Sequence, residues 1–218
     1  MQQTTQQSLA NDQLRLTIDD DGSGYTLDVR DGDDWRRAGR GMFGKLVIQN
    51  ASEERQETEV RPTDVSAADD HLTLTGEWTD ADGLTWTFSE HFNLTDDSRQ
   101  IQVVAQATPS GDAKVLHFTG PTILAGEGSF GGKKTDAIFP GLEYLGENEP
   151  SSSTAFASSK YAGRTVPHPY KIGIPMMAIS HDGLAVGLMW DPHQDYGSAW
   201  RHPAAVFSSP NQLEGGDN

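Results

Sequence analysis

Apolar and polar residues alternate with a period of two over much of the chain. Leu14, Leu16 and Ile18 are separated by polar residues, and Tyr25, Leu27 and Val29 repeat the arrangement after the turn Asp20-Asp21-Gly22-Ser23-Gly24. Successive side chains of a strand point to opposite faces, so this spacing predicts strands with one buried face. A second turn, Asp31-Gly32-Asp33, leads to Trp35, and Phe43 to Ile48 reads as a further strand. Leu72, Leu74 and Trp78 connect through Asp80-Ala81-Asp82-Gly83 to Leu84, Trp86, Phe88, Phe92 and Leu94. Strands are expected again at Ile101 to Val104 and Val115 to Phe118, and at Ile172 to Ile179 and Leu184 to Trp190 around the turn His181-Asp182-Gly183. Most junctions are Asp/Gly clusters, which tolerate the positive φ of hairpin loops. No segment carries the spacing of three and four that a helix needs. The pattern predicts an all-β fold, an antiparallel β-sandwich forming a single domain over 1–218. Residues 126–170, rich in Gly, Pro and Ser, break the alternation and are expected to form one long irregular loop insertion, a kind of segment that often carries function.

Composition narrows the function. The 218 residues include no cysteine, which excludes disulfides, thiolate zinc sites and cysteine nucleophiles. Sixteen Lys and Arg stand against 32 Asp and Glu, a formal charge of −16. That sign argues against nucleic acid and anionic membrane surfaces as partners. It also disfavours strongly anionic polysaccharides unless calcium or Arg201 intervenes. No run of 18 apolar residues spans a bilayer. The opening Met1 to Gln7 lacks the basic and apolar regions of a signal peptide, and the tail from Ser208 to Asn218 trails off in polar residues. Together these ends read as a piece of a larger protein.

Gly126-Glu127-Gly128-Ser129-Phe130-Gly131 matches a glycine-loop string, but no other element of a kinase or P-loop accompanies it, and it reads as a flexible loop. Parity places Trp78 and Trp86 with the core, whereas Trp35, just after a turn, could cap the sandwich or face solvent. The densest chemistry lies in Trp190-Asp191-Pro192-His193-Gln194-Asp195-Tyr196 and Trp200-Arg201-His202. Flat aromatic faces beside short polar groups suit a sugar, whose hydroxyls need directed partners. Trp190, Tyr196 and Trp200 are the candidate stacking platforms, with Asp191, His193 and Arg201 as hydrogen-bonding partners. Glu143, Tyr144 and His168 are the candidates from the long loop. The plainer alternative is a polar loop whose histidines bond backbone. Asp191, His193 and Asp195 alternate as metal ligands might, and two Asp/Gly turns look calcium-like without the spacing of an EF-hand loop. No cofactor is expected, calcium being the one ion considered. Loop carboxylates such as Glu127, Glu143, Glu147 and Glu149 are the raw material of glycoside chemistry, but no catalytic residue is assigned.

Two stretches carry a resemblance. The first is Phe118-Thr119-Gly120-Pro121 running into Gly126 to Lys134 and then Phe139-Pro140-Gly141-Leu142-Glu143-Tyr144-Leu145. The second is Pro167-His168-Pro169-Tyr170-Lys171, Ile174-Pro175-Met176-Met177 and Gly187-Leu188-Met189-Trp190-Asp191-Pro192. Over roughly Leu72 to Asn218 they resemble the galactose mutarotase-like supersandwich domain of bacterial secreted proteins that also carry a six-hairpin glycosidase-type toroid. The resemblance implies a carbohydrate context, an extracellular or periplasmic address and a neighbouring catalytic domain in the full-length chain. The leading expectation is a non-catalytic carbohydrate-binding module that takes a polysaccharide or oligosaccharide. A mutarotase-type epimerase, a fragment of a glycoside hydrolase or polysaccharide lyase, and a structural spacer are the alternatives.

Overall fold

The computed structural model describes residues 7–94, 98–125, 135–139, 143–147, 163–165, 173–191 and 206–208. Among them every regular element is a strand, and every strand pair with a defined register is antiparallel. The chain divides into two compact units, Met1–Ile123 and Leu124–Asn218.

The first unit opens with β1 (Ser8–Ala10), β2 (Leu14–Ile18), β3 (Gly24–Asp31) and β4 (Asp34–Met42), which with β12 (Thr122–Ala125) form a sheet in the order β1-β2-β3-β4-β12. A second sheet has the order β10 (Ile101–Pro109), β9 (Thr85–Leu94), β8 (His71–Thr79), β7 (Asp64–Ala67). A third joins β11 (Lys114–Thr119), β5 (Lys45–Gln49) and β6 (Arg55–Glu59). The alternation explains the packing. Leu14, Leu16, Ile18 and Tyr25 on the first sheet and Leu72, Leu74, Trp86, Phe88 and Phe92 on the second are all buried. The Tyr25 ring meets Phe92 edge-on at 5.5 Å between centroids, so the inner faces of these two sheets touch. Trp86 is fully buried and Trp78, on the same face, is half-buried.

Turn chemistry follows the sequence. Gly32 leads the two-residue β3–β4 loop with φ 65°. The calcium-like turns are closed by their own carboxylates. Asp80 accepts from the Asp82 and Leu84 amides at 3.0 and 2.9 Å and from the Trp86 indole at 3.1 Å, and Asp21 accepts from the Ser23 amide. Gly41, paired with Tyr25 across β3 and β4, admits that ring: a Cβ there would lie 1.9 Å from it.

The second unit has a sheet in the order β14 (Glu143–Gly146), β13 (Asp136–Phe139), β16 (Met176–His181), β17 (Leu184–Met189), and a pair β15 (Gly163–Thr165) with β18 (Val206–Ser208). Ala137, Met177, Val186 and His181 are buried there. The Asp182-Gly183 turn joining β16 and β17 has φ of 47° and 76°, the pair of left-handed residues that a tight hairpin requires. β13, β14 and β15 fall inside 126–170, so that stretch contains short strands where an irregular loop was expected. Their four-residue or shorter runs, set among Gly and Pro, are too brief to show a period.

Candidate functional site

The residues proposed from sequence are only partly within the described regions. Trp190 lies immediately after β17 and is half-buried, its amide donating to the Pro175 carbonyl at 3.1 Å; Asp191 beside it is exposed. Tyr144 stands on β14, 69% exposed. β14 and β17 are the two edges of their sheet, separated by β13 and β16. At ladder spacing that puts Tyr144 about 14 Å laterally from the strand before Trp190, too far to grip one sugar ring. Glu143 belongs to β14 by its backbone. His168, His193, Tyr196, Trp200 and Arg201 lie outside the described residues, as does most of the Asp191-His193-Asp195 triplet. Among the described residues no group of three or more His, Asp and Glu side chains is placed to hold a metal ion.

A different constellation is built on the outward face of the first sheet. Inward positions of β2 and β3 are Leu14, Leu16, Ile18 and Tyr25, so the residues between them face out. Register then sets Arg15 opposite Asp28, Asp28 opposite Arg37, and Arg30 opposite Trp35. A bulge between Leu27 and Asp28 in the β3–β4 pairing gives β4 one extra residue, Ala38, and keeps both Arg37 and Arg40 on this face. Asp28 is only 6% exposed and its carboxylate is bracketed. Arg15 donates to Oδ2 through Nε at 3.2 Å and Nη2 at 2.9 Å, and Arg37 donates to Oδ1 through Nε at 2.7 Å. Charge-assisted bonds of this kind hold long side chains in fixed directions.

Trp35 completes the face. The Arg15 guanidinium carbon lies 4.7 Å and that of Arg30 5.5 Å from the Trp35 ring, both within cation–π range. Arg30 is anchored by Nε to the Gly32 carbonyl at 3.1 Å, and the Arg99 guanidinium donates to the Arg30 carbonyl at 3.1 Å. Arg40 pairs with Asp19 at the rim at 3.0 Å. The outward rows of β2, β3 and β4 thus present Arg15, Arg30, Arg37 and Arg40, with Asp28 serving Arg15 and Arg37 and Asp19 serving Arg40 at the rim. Thr17 and Thr26 provide small hydroxyl positions between them. Two carboxylates thus pair with three of these four arginines, whereas acids outnumber bases two to one along the chain. Alternation alone could have shown that Arg15, Asp28 and Trp35 point outward. Their juxtaposition needed the register.

No family model and no curated protein matches the chain.

Proposed function

We propose that the chain is a non-catalytic carbohydrate-binding β-sandwich module of a secreted polysaccharide-active protein, and that the Trp35 face is where the saccharide rests. The observation that carries this reading is the half-buried Trp35 ring on an outward sheet face, with the guanidinium groups of Arg15 and Arg30 directed at it and Arg37 two residues away. An indole supplies an apolar platform for the C–H face of a pyranose, and directed N–H donors around it meet the hydroxyls. A sheet face with pre-positioned side chains suits an extended polymer, because little ordering entropy remains to be lost on binding. The galactose mutarotase-like resemblance points to the same ligand class and to a secreted setting beside a catalytic domain.

The test is affinity electrophoresis of the chain through gels containing soluble polysaccharides, with a reducing-sugar assay on matched samples. Retardation without sugar release is the expected result. Trp35→Ala should weaken binding by about 1–3 kcal/mol and leave the fold intact. Trp200→Ala, made in parallel, separates the two candidate sites. Loss at Trp200 with none at Trp35 would move the saccharide to the stretch 190–202. Sugar release would replace the binding module with an enzyme.

A further inference from the structure

The arginine rows around Trp35 hold more positive charge than their carboxylates neutralise. Asp28 takes one charge from the Arg15–Arg37 pair, and Asp19 takes that of Arg40. One charge of the Arg15–Arg37 pair and the whole of Arg30 are left over, since Arg30's side chain donates to a backbone carbonyl, a neutral acceptor. The donors left over are terminal amino groups. Arg37 contacts Asp28 through Nε alone, Arg15 through Nε and Nη2, and Arg30 uses Nε on Gly32. Among the described residues the remaining Nη groups of these three side chains carry no further bond. The side chains of Arg15 and Arg37 are 38% and 33% exposed, so their heads reach solvent while Asp28 beneath them does not.

An arginine stem held at Nε, with its terminal amino groups turned to solvent, matches the two oxygens of a carboxylate. Folding has already removed much of the side-chain freedom that such a contact would otherwise cost. A chain with formal charge −16 repels acidic polymers at long range, so a surplus of positive charge around one aromatic ring has the character of a selective contact. A neutral glycan would leave these guanidiniums without a counter-charge. We propose that the Trp35 face binds an acidic polysaccharide of the uronic acid class, with a sugar ring on the indole and its carboxylate between Arg30 and the outward Nη groups of Arg15 and Arg37. This rests on the carbohydrate-binding reading above and names the charge of its ligand. It also revises the expectation from net charge that anionic polysaccharides are disfavoured, because charge acts locally over roughly a Debye length, about 8–10 Å at physiological salt.

The experiment compares polygalacturonate, its fully methyl-esterified form and dextran sulfate as ligands of the full chain, with chelator present, at low and high salt. Binding to polygalacturonate at least about tenfold tighter than to the ester is expected, weakening as salt rises. Arg30→Gln should lower affinity for polygalacturonate about tenfold and affinity for the ester by clearly less, since only the acid loses a charge-assisted contact there. Arg30→Lys keeps the charge but not the fork and should restore only part of it. Melting curves check that both variants are folded; if Arg30→Gln does not fold, Arg30→Lys alone carries the comparison. Equal binding of acid and ester overturns the carboxylate assignment and leaves the carbohydrate reading standing. Binding of none of the three overturns both. Dextran sulfate bound as tightly as polygalacturonate would show a charge-only surface and overturn the uronate assignment. Salt-reversible self-association without polysaccharide binding would mean that the face docks a second acidic copy of the chain, which also overturns it.

Discussion

Asp28 and Glu90 are both carboxylates withdrawn from water within the first unit, at 6% and 1% exposure, and they are treated in opposite ways. Asp28 lies under the outward face, where two guanidiniums deliver three hydrogen bonds to it. Glu90 lies on the inward face of β9, opposite Leu74 on β8 and Ala105 on β10. Its Oε1 accepts one hydrogen bond, from the Gly44 amide at 3.0 Å, and its Oε2 has no partner among the described residues. Burial pushes the Glu90 carboxyl up to about 7, and the Gly44 bond opposes this only in part. The Tyr25 phenol, buried above all and then disfavoured further by any charge on Glu90, is held well above its ordinary range, and it donates to the Thr122 carbonyl at 2.9 Å. The difference between the carboxylates is one of available partners. Two guanidiniums cover Asp28, whereas burial with a single amide donor favours the neutral form of Glu90.

The comparison can be broken most forcefully at Glu90. The folded state holds its proton more tightly than the unfolded chain, where glutamate titrates near 4.5. The stability that the protonated form contributes is complete below that value and is lost as pH rises through about 7. Between pH 5 and 8 this group is expected to remove on the order of 2–3 kcal/mol from the unfolding free energy. Glu90→Gln, neutral throughout, should flatten that slope and be more stable than wild type at pH 8. Urea unfolding at the two pH values measures it, and parallel slopes for the two proteins would mean that Glu90 is not the titrating group.

A smaller effect is expected at Asp28. Asp28→Ala releases both guanidiniums, but these are part-exposed and can rehydrate, so the cost should be about 2 kcal/mol, below that of stranding a fully buried charge. Trp35 fluorescence should shift with it, because Arg15 is no longer tethered beside the indole. A variant as stable as wild type would show that the bracket orients the arginines without stabilising the sheet. The smallest effect separates the two neighbours in the core. Tyr25→Phe leaves the Thr122 carbonyl without its donor and should cost about 1 kcal/mol. The pH slope should survive, since desolvation, and not the phenol, is the main cause of the Glu90 shift. A Tyr25→Phe protein with a flattened slope would assign that shift to the hydroxyl.

Much of the fold was legible because alternation reports which face is buried. Leu14 to Ile18, Tyr25 to Val29, Leu72 to Leu74 and Trp86 to Leu94 all lie in strands with the expected residues inward. β6, with the sequence Arg-Gln-Glu-Thr-Glu, offered no such signal. It is a strand because β5 pairs it on that side, where Lys45 and Arg55 both reach Glu57. The charged residues that hide it from an apolar pattern are those that suit a sheet edge. Glu90 was legible in principle, since it occupies an inward position between Phe88 and Phe92. A charged residue on the apolar parity was the available sign.

The sequence by itself determined the all-β class, most of the strands, the turn positions and the inward or outward sense of each alternating residue. All of these depend on neighbours two to five positions away and on the φ preferences of glycine and aspartate. Only the tertiary structure decided what meets what. Arg15, Asp28 and Arg37 come from three strands, and a one-residue slip in either hairpin would turn one of them toward the core. The bulge after Leu27 sets which arginines of β4 share a face with Trp35. The contrast between a covered and a stranded carboxylate was settled by register and by sheet packing, because an electrostatic environment is a property of distances in space.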